Sequence, residues 1–327
     1  MGPVRVLGAG PAGCAAALSA IATGPVEIWE KSRFPRHKVC GEFLSPECTV
    51  ILDRLGVGPA FSALGPSVIG RMKLRFGERE STARFSEPAW GVSRHALDLL
   101  LLEEALKRGA RLIPSKGVPM TAGANIIAHG RRCAAPRGRR LFGFKAHFTG
   151  PVDDAVELLF FAHRAYLGVS AVEQGYTNVC GIAEESQLAR FSFDIDAFLD
   201  ENAVVRSRLR PLRRCWKWLL VGPIEFHSRF DRAPVPHEFP AGDALTFVDP
   251  FSGTGILSAL WTGELAGRMA SQGQESGKYL RQARNALEAP ARIAGLFRSA
   301  MDGGWGKWLG ACLSPQTLFR LTRPRFR

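Results

Sequence analysis

A glycine-rich turn between a short apolar strand and a helix of small residues constrains this chain most strongly. Residues 4–13 read VRVLGAGPAG, and small residues continue to Ile21. The G-x-G-x-x-G pattern therefore stands between a predicted strand and a predicted helix, as a dinucleotide-binding βαβ unit requires. Gly8 permits the tight turn, Gly10 lets a pyrophosphate approach the backbone, and Gly13 lets the helix pack against its strand. The N–H groups at the start of the helix are available to phosphates.

An acidic residue ends the next predicted strand. This strand covers Val26–Glu30, and Glu30 follows Gly8 by 22 positions. At this distance a carboxylate is expected to bind a ribose hydroxyl. Pro11 and Ala12 complete the turn as predicted cofactor contacts. The alternative is a glycine turn that only packs a βαβ unit, but the strand, helix and acid together favour a dinucleotide site.

Length and composition indicate a globular protein with no membrane span. The chain has 327 residues, enough for two modest domains or one large α/β unit. No apolar run reaches the length of a spanning helix, and the first strand begins almost at once, so we expect a cytoplasmic protein. The seven cysteines are scattered without metal-ligand spacing. We therefore expect no metal site.

The net charge of +13 raises the question of an anionic partner. Arginines cluster within 131–140, 206–217 and 320–327. No nucleic-acid-binding module accompanies them, so we expect no nucleic-acid partner. Most of this charge is explained by solvated surface. A peripheral role at a membrane surface stays open, particularly for the C-terminal segment. The sequence leaves the oligomeric state undetermined.

A basic loop follows the acid-ended strand. Residues 31–42 read KSRFPRHKVCGE, and the side chains of Lys31, Arg36 and Lys38 are placed to neutralise a pyrophosphate. The alternative is a solvent-facing loop. Together with the glycine turn and the acid, the stretch FPRHKVCGEFLSPE resembles the geranylgeranyl reductase family of FAD-dependent oxidoreductases. That family belongs to the wider group with the para-hydroxybenzoate hydroxylase fold.

The resemblance implies roles for several further residues near the flavin. Cys40 and Gly41 would contact the cofactor, and Cys40 and Glu42 are the catalytic candidates; a buried structural thiol is the alternative for Cys40. Arg94 would lie along the flavin. Gly130 ends the stretch IIAHG, where the fold usually has Ala-Asp-Gly and this chain has His129 in place of the aspartate. The stretch 114–125 is also shorter than the family pattern.

A second motif lies more than 200 residues after the first. FPAGDA at 239–244 is followed by DPFSGTGI at 249–256 and a predicted helix over Leu257–Met269. By resemblance, Gly242 and Asp243 would bind the ribityl and phosphate region of FAD. The helix N-terminus would face the pyrimidine end of the flavin, where its partial positive charge stabilises the reduced, anionic ring. The contacts at this turn would be Pro250, Gly253, Gly255 and Ile256.

The middle of the chain predicts a substrate-binding sheet. Four short runs between 141 and 183 are typical of strands, and 70–77 with 79–86 predicts a β-hairpin. Helices are predicted over 46–56, 96–107 and 184–210, strands over 110–113 and 216–230, and helical structure over 276–327. Tyr166, Gly168 and Asn178 lie where the resembled family places pocket residues. Sheet core is an equally good interpretation of these three.

We therefore predict an α/β fold with a Rossmann-like FAD-binding domain of the GR2 type, similar to para-hydroxybenzoate hydroxylase. An inserted, mainly antiparallel β-sheet forms the substrate domain, and helices end the chain. The FAD-binding domain would comprise 1–66, 90–140 and 237–272. The substrate domain would comprise 67–89 and 141–236, and the helical segment 273–327.

The predicted function is that of an FAD-dependent oxidoreductase. FAD would be reduced by NAD(P)H or another external donor and would reduce a carbon–carbon double bond of an apolar substrate, such as a prenyl chain. Two alternatives stay open: an aromatic hydroxylase, and a degenerate flavin-fold protein that binds a partner without catalysis. The chain lacks a W-x-W-x-I-P stretch, so we do not expect a halogenase.

Overall fold

The computed structural model describes residues 2–115, 125–131, 140–305, 308, 314–324 and 326. Most of the predicted short stretch 114–125 lies outside these residues. The strands are β1 Val4–Leu7, β2 Val26–Glu30, β3 Phe43–Leu44, β4 Ser67–Phe76, β5 Arg79–Gly91, β6 Arg111–Pro114, β7 Asn125–Ile127, β8 Leu141–Thr149, β9 Ala155–Ala162, β10 Ala165–Ala171, β11 Thr177–Glu184, β12 Arg213–Arg214, β13 Leu219–Ile224, β14 His227–Ser228, β15 Glu238–Pro240 and β16 Thr246–Phe247. The α-helices are α1 Pro11–Ala20, α2 Glu47–Arg54, α3 Gly58–Ala63, α4 Arg94–Lys107, α5 Glu185–Ala189, α6 Ile195–Glu201, α7 Ala203–Leu209, α8 Gly255–Ser271, α9 Ser276–Asp302 and α10 Pro315–Leu321.

A five-stranded parallel sheet carries the glycine turn. Its strand order is β15-β7-β1-β2-β6, and every neighbouring pair is parallel. Val6, Ile28 and Ile126 are fully buried in it, as expected for a parallel sheet covered on both faces. Because β1 is the central strand, the turn that follows it opens at the carboxyl edge of the sheet, where ligands bind in such folds.

Helices α1 and α8 pack against each other at backbone distance. Gly263 and Gly267 of α8 face Ala12 and Ala16 of α1. A Cβ atom at Gly263 would lie 2.1 Å from the Ala12 carbonyl oxygen, and one at Gly267 would lie 2.2 Å from that of Ala16. The two helices that begin at the two cofactor motifs are therefore held together by small residues.

The second sheet is mainly antiparallel. Its order is β12-β8-β11-β10-β9-β4-β5-β3, with β13 also paired to β8. The hairpin β4–β5 joins the later strands through a parallel pairing of β4 with β9. Strand β3 and the end of β5 belong to this sheet, although the domain prediction assigned 43–44 and 90–91 to the FAD-binding part. The predicted domain boundaries otherwise stay predictions.

Most predicted elements are confirmed, with small shifts at their ends. The helix predicted over Leu257–Met269 begins at Gly255, and the helix predicted over 96–107 begins at Arg94, where Ser93 caps it by accepting a hydrogen bond from the Ala96 N–H. The short helices predicted over 184–210 are confirmed, and the structure has three of them. Within the described part of the chain, no helix is both long and apolar enough to cross a membrane.

Candidate cofactor and substrate site

A cavity of about 590 Å³ lies between the parallel sheet and the larger sheet. Its walls include nearly all predicted site residues, from both motifs and from the basic loop. Those that line it are Gly8, Gly10, Pro11, Ala12, Glu30, Lys31, Arg36, Lys38, Cys40, Gly41, Glu42, Arg94, Gly130, Tyr166, Gly168, Gly242, Asp243, Pro250, Gly253, Gly255 and Ile256. Gly13 and Asn178 do not line it. The roles assigned to these residues stay predictions, but the chain brings them to one place.

The glycine turn leaves open the space that a pyrophosphate needs. Gly8 has φ +107°, and a Cβ there would lie 2.4 Å from the Ala128 carbonyl oxygen. Gly13 faces the turn itself, because its Cβ would lie 1.8 Å from the Gly8 oxygen. Its predicted packing role therefore explains its absence from the cavity wall. Gly10 precedes α1, and no side chain caps the first N–H groups of this helix, so they are available to an anion.

Glu30 is already fully hydrogen-bonded at the end of β2. Its carboxylate accepts hydrogen bonds from the N–H of Ala9 at 2.9 Å and of Ser32 at 2.8 Å, and pairs with both terminal nitrogens of Arg36 at 3.0 and 3.2 Å. Burial opposes ionisation, but these donors outweigh it and lower the pKa of Glu30 to about 2. Since a carboxylate offers about four acceptor positions, a ribose hydroxyl would have to displace one of these donors.

The Cys-Gly-Glu loop is fixed through the Glu42 carboxylate. Glu42 is fully buried with φ +54°. One oxygen accepts hydrogen bonds from Lys145 Nζ and, at 2.6 Å, from the Arg94 N–H; the other contacts His147 Nε2 at 2.7 Å. Burial opposes ionisation, but His147 and Lys145 outweigh it and lower the pKa of Glu42. The predicted role of Glu42 as a catalytic group is therefore not favoured, because neither oxygen is free to act on a substrate.

The sheet supplies two more contacts to the same loop. Asn178 Nδ2 donates to the Cys40 carbonyl oxygen at 3.1 Å, and Ser170 Oγ donates to that of Gly41 at 3.4 Å. Asn178 is fully buried behind the loop, so the structure does not favour its predicted contact with substrate. Lys145 and His147 lie opposite Cys180 and Asn178 in the β8–β11 register. These four residues therefore share the face of the sheet that supports the loop.

Sequence reasoning missed Lys145 and His147, although a signal was present. They are two residues apart in the apolar run FGFKAHF. Because successive side chains of a strand alternate between faces, this spacing puts both on one face. Two basic residues on one face of an otherwise apolar strand indicate a buried acidic partner.

Arg94 carries a fixed positive charge beside the glycine turn. Its guanidinium pairs with the buried Asp98 through Nε–Oδ1 at 2.5 Å and Nη2–Oδ2 at 2.8 Å. Burial opposes the charge, but Asp98 outweighs it and raises the pKa of Arg94; the Cys40 thiol acts in the same direction. A Cβ at Gly10 would lie 3.7 Å from Arg94 Nη2. Arg94 therefore lies between the glycine turn and Cys40, and the contact with the flavin that the resemblance implied stays a prediction.

The second motif presents a carboxyl group and a helix N-terminus to the cavity. Burial raises the pKa of Asp243 although Arg131 and Arg94 oppose the shift, and no described residue donates a hydrogen bond to its carboxylate. Gly253 has φ +63°, and Thr254 precedes α8 without a side-chain cap. An acceptor without a donor and uncapped N–H groups fit the hydroxyls and the anionic edge of a flavin nucleotide. The residues present therefore fit FAD.

The far end of the cavity is apolar. Tyr166 and Gly168 face it from β10, and the end of the chain contributes α9 and α10. The Tyr166 hydroxyl does not point freely into this space, because it donates to Asp249 Oδ1 at 2.7 Å. Arg298 of α9 donates to the other Asp249 oxygen at 2.9 Å. The apolar walls include Met72, Val156, Leu158, Ile182, Ile224, Phe251, Leu287, Pro290, Ala294 and Phe319.

Several solved structures share this architecture, and most of those named below are described as flavoproteins or flavin-dependent enzymes. The structure matches a flavoprotein/dehydrogenase from Cytophaga hutchinsonii with a TM-score of 0.78, 19% identity and coverage of 97% of this chain and 91% of that one. The flavin-dependent brominase Bmp2 matches with a TM-score of 0.77 and 16% identity, and the match covers 98% of this chain and 92% of the brominase. A geranylgeranyl bacteriochlorophyll reductase-like protein from Thermoplasma acidophilum matches with a TM-score of 0.71 and 18% identity. That match covers 98% of this chain and 90% of the other.

The chain has the fold of FAD-dependent flavoproteins. The predicted fold class is thereby confirmed. At these identities the likeness shows the fold, and it does not decide between reductase, hydroxylase and halogenase. No family model matches the chain. A menaquinone reductase from Mycolicibacterium smegmatis is 47% identical over 55 residues, which span 16% of this chain and 13% of that protein's length.

Proposed function

We propose that this protein is an FAD-dependent oxidoreductase that reduces a carbon–carbon double bond in an apolar substrate. The observation that carries the proposal is one continuous cavity, lined by described residues, with two chemically different ends. One end has the glycine turn, Asp243 and the N-terminus of α8, which fit FAD. The other is lined by apolar side chains of the large sheet, α9 and α10. An apolar substrate would thus meet the cofactor without crossing water.

FAD would supply the hydride when bound, and the surrounding residues would bind, orient and protonate. The α1 N-terminus, Lys38 and Arg94 would bind the phosphates. The apolar walls would orient the substrate and exclude water. Saturating a double bond also needs a proton at the second carbon. We assign this proton to the Cys40 thiol, which lines the cavity next to Arg94. The guanidinium would stabilise the thiolate that remains until solvent reprotonates it.

The Glu42 network would keep Cys40 in place. Glu42 N–H contacts Cys40 Sγ at 3.4 Å, while the Glu42 carboxylate is bound by Lys145 and His147. The large sheet thereby fixes the reactive thiol through a residue that does not touch the substrate. Glu42 is a positioning residue in this proposal, and Cys40 is the catalytic one.

The local match to a menaquinone reductase supports an isoprenoid quinone as the first substrate to test. The purified protein would be loaded with FAD, reduced without oxygen by NAD(P)H or dithionite, and mixed with menaquinone in detergent. We expect flavin reoxidation and, once any quinol has been reoxidised in air, a product that is heavier by two hydrogens in its prenyl chain. The Cys40→Ser variant should retain FAD. Its reduced flavin should be reoxidised by the substrate at least tenfold more slowly, because a serine hydroxyl is a weaker acid than a thiol.

Other outcomes distinguish the alternatives. A product heavier by one oxygen, formed only with dissolved oxygen, would favour the hydroxylase. A protein that takes up no FAD would favour the non-catalytic alternative. Equal reoxidation rates for Cys40→Ser and the unchanged protein would remove Cys40 from the proposed mechanism.

A further inference from the structure

The segment that follows α10 returns to the cofactor side of the molecule. Phe326 stacks on Trp261 of α8, with ring centroids 4.8 Å apart, and Thr322 and Pro324 line the cavity. Between them, the Arg323 side chain turns toward the loop before α8. This loop carries two of the predicted flavin contacts, Pro250 and Gly253. The end of the described chain is therefore part of the surroundings of the cofactor site.

The Arg323 guanidinium is held against this loop but is not satisfied by it. Its Nη2 donates a hydrogen bond to the Ser252 carbonyl oxygen, and a Cβ at Gly253 would lie 3.8 Å from Nη2. The guanidinium carbon lies 4.2 Å from the centre of the Phe319 ring. The other two nitrogens, Nε and Nη1, are buried and have no hydrogen-bond partner among the described residues. Buried donors without an acceptor cost free energy.

Among the described residues, no direct ion pair neutralises this charge. Glu47 of α2 attracts Arg323, but its buried Oε2 has no hydrogen-bond partner, and within the described chain no carboxylate oxygen lies within ion-pair distance of Arg323. Burial lowers the pKa of Arg323 to about 10, with Glu47 opposing the shift, so the guanidinium is charged at neutral pH. Its charge adds to the uncapped N–H groups of α8, and both favour an anion at the Gly253 turn.

We propose that Arg323 is a positioning residue that makes the site bind reduced, anionic FAD more tightly relative to oxidised FAD. The inference rests on the proposed function and deepens it, because it assigns control of the flavin's reduction potential to the C-terminal tail. FAD takes up two electrons from the donor and one proton from solvent to become the anion. Arg323 would act through its charge and through the Ser252 loop, without touching the substrate.

The test compares Arg323→Gln with the unchanged protein. Arg320→Gln is the matched control, because Arg320 is exposed and lies three residues earlier, in the last turn of α10. Arg323→Lys keeps the charge. The dissociation constant of oxidised FAD would be measured by fluorescence, and the midpoint potential by equilibration with a reference dye during dithionite reduction. We expect Arg323→Gln to weaken the binding of reduced FAD at least tenfold more than the binding of oxidised FAD. Such a difference lowers a two-electron midpoint potential by about 30 mV.

We expect Arg320→Gln and Arg323→Lys to keep the original potential. If Arg323→Gln binds FAD with an unchanged potential, the inference fails and the proposed function stands. If the unchanged protein takes up no FAD, both fail. An equal decrease of the midpoint potential in Arg323→Gln and Arg323→Lys would assign the effect to the hydrogen bond with the Ser252 carbonyl oxygen. It would overturn the role of the charge.

Should Arg323→Gln not fold, Arg323→Lys carries the test. Raising the pH toward the pKa of the buried ammonium removes its charge. The potential of that variant must then fall more steeply with pH than the potential of the unchanged protein, and parallel pH profiles would overturn the inference.

Discussion

At the scale of single residues, Glu30 joins cofactor binding to stability. Its carboxylate pairs with Arg36 and accepts hydrogen bonds from the N–H of Ala9 in the glycine turn and of Ser32 in the loop after β2. The lowered pKa of about 2, against an ordinary 4.5, corresponds to about 3 kcal/mol of folding free energy. Because the folded-state pKa is depressed, this stabilisation is complete above pH 4.5. It is lost as the pH falls toward 2.

We predict that Glu30→Gln lowers the free energy of unfolding by about 3 kcal/mol at pH 7 and by much less at pH 3. Urea unfolding at several pH values measures both. The affinity for FAD should also fall at least tenfold, since Arg36 loses its partner next to the phosphate site. A stability difference that does not change between pH 7 and pH 3 would contradict the assigned pKa.

The buried Glu42 group gives a second prediction at this scale. Replacing Glu42 by glutamine leaves the ammonium of Lys145 buried without a counter-charge. Breaking a buried pair in this way costs about 3–5 kcal/mol. The control is Glu185→Gln, because Glu185 pairs with Arg140 at 3.2 Å and the two side chains are partly exposed, Arg140 by 43% and Glu185 by 31%. Such pairs near the surface contribute about 1 kcal/mol or less. Similar losses of unfolding free energy in the two variants would show that the Glu42 group is not a buried pair in solution.

At the scale of elements, the contact between α1 and α8 sets the distance between the two cofactor motifs. We predict that Gly263→Ala destabilises the protein by about 1–3 kcal/mol, because its methyl group would overlap the Ala12 carbonyl. The affinity for FAD should fall together with the stability, because the N-termini of both helices move. The control is Gly295→Ala on α9, where a Cβ meets nothing within 4 Å. That change should be neutral or stabilising by up to about 1 kcal/mol, as thermal unfolding with and without FAD would measure.

The sequence predicted the elements better than the contacts between them. The 3.6-residue period of α8 and the alternation of β4 and β5 are local, so they identify a helix and a hairpin. The parallel pairing of β4 with β9 and the packing of Gly263 on Ala12 join residues far apart in the chain. Local patterns do not encode such partners. The spacing of Gly263 and Gly267 is a sign of close helix packing, but it does not name the other helix.

In the candidate site, too, local patterns could be predicted and contacts between distant residues could not. Motifs with a strict backbone requirement, at Gly8 and Gly253, could be placed from the sequence because positive φ or a close approach admits little else than glycine. The buried partners of the loop, Lys145 and His147, were missed. Their spacing on an apolar strand indicates a buried acidic partner, but no local pattern identifies that partner as Glu42, about 100 residues earlier in the chain. Asn178 was chosen by resemblance, and its side chain binds the back of the loop instead. The Arg323 contact depends on the return of the C-terminal tail, which no local pattern predicts.

At the scale of the whole molecule, the apolar end of the cavity is built by the large sheet, the loop before α8 and the last two described helices. Ala294 of α9 is buried in this wall. We predict that Ala294→Phe fills the apolar end and lowers turnover of an apolar substrate at least tenfold, while FAD affinity changes less than threefold. The control is Leu296→Phe on the same helix, where the side chain is 70% exposed. Equal loss of FAD binding and turnover in Ala294→Phe would mean that the two ends of the cavity are not separate subsites.

The cavity wall runs from Gly8 to Pro324, and this has a consequence for biosynthesis. The glycine turn leaves the ribosome more than 300 residues before Pro324, which lines the same cavity. The parallel sheet itself waits for β15, whose residues lie more than 200 positions after β1. A nascent chain therefore exposes an unfinished dinucleotide site through most of its synthesis. Full cofactor loading is expected only after the residues up to Pro324 have left the ribosome, and flavin supply would then influence how much of the newly made protein escapes proteolysis.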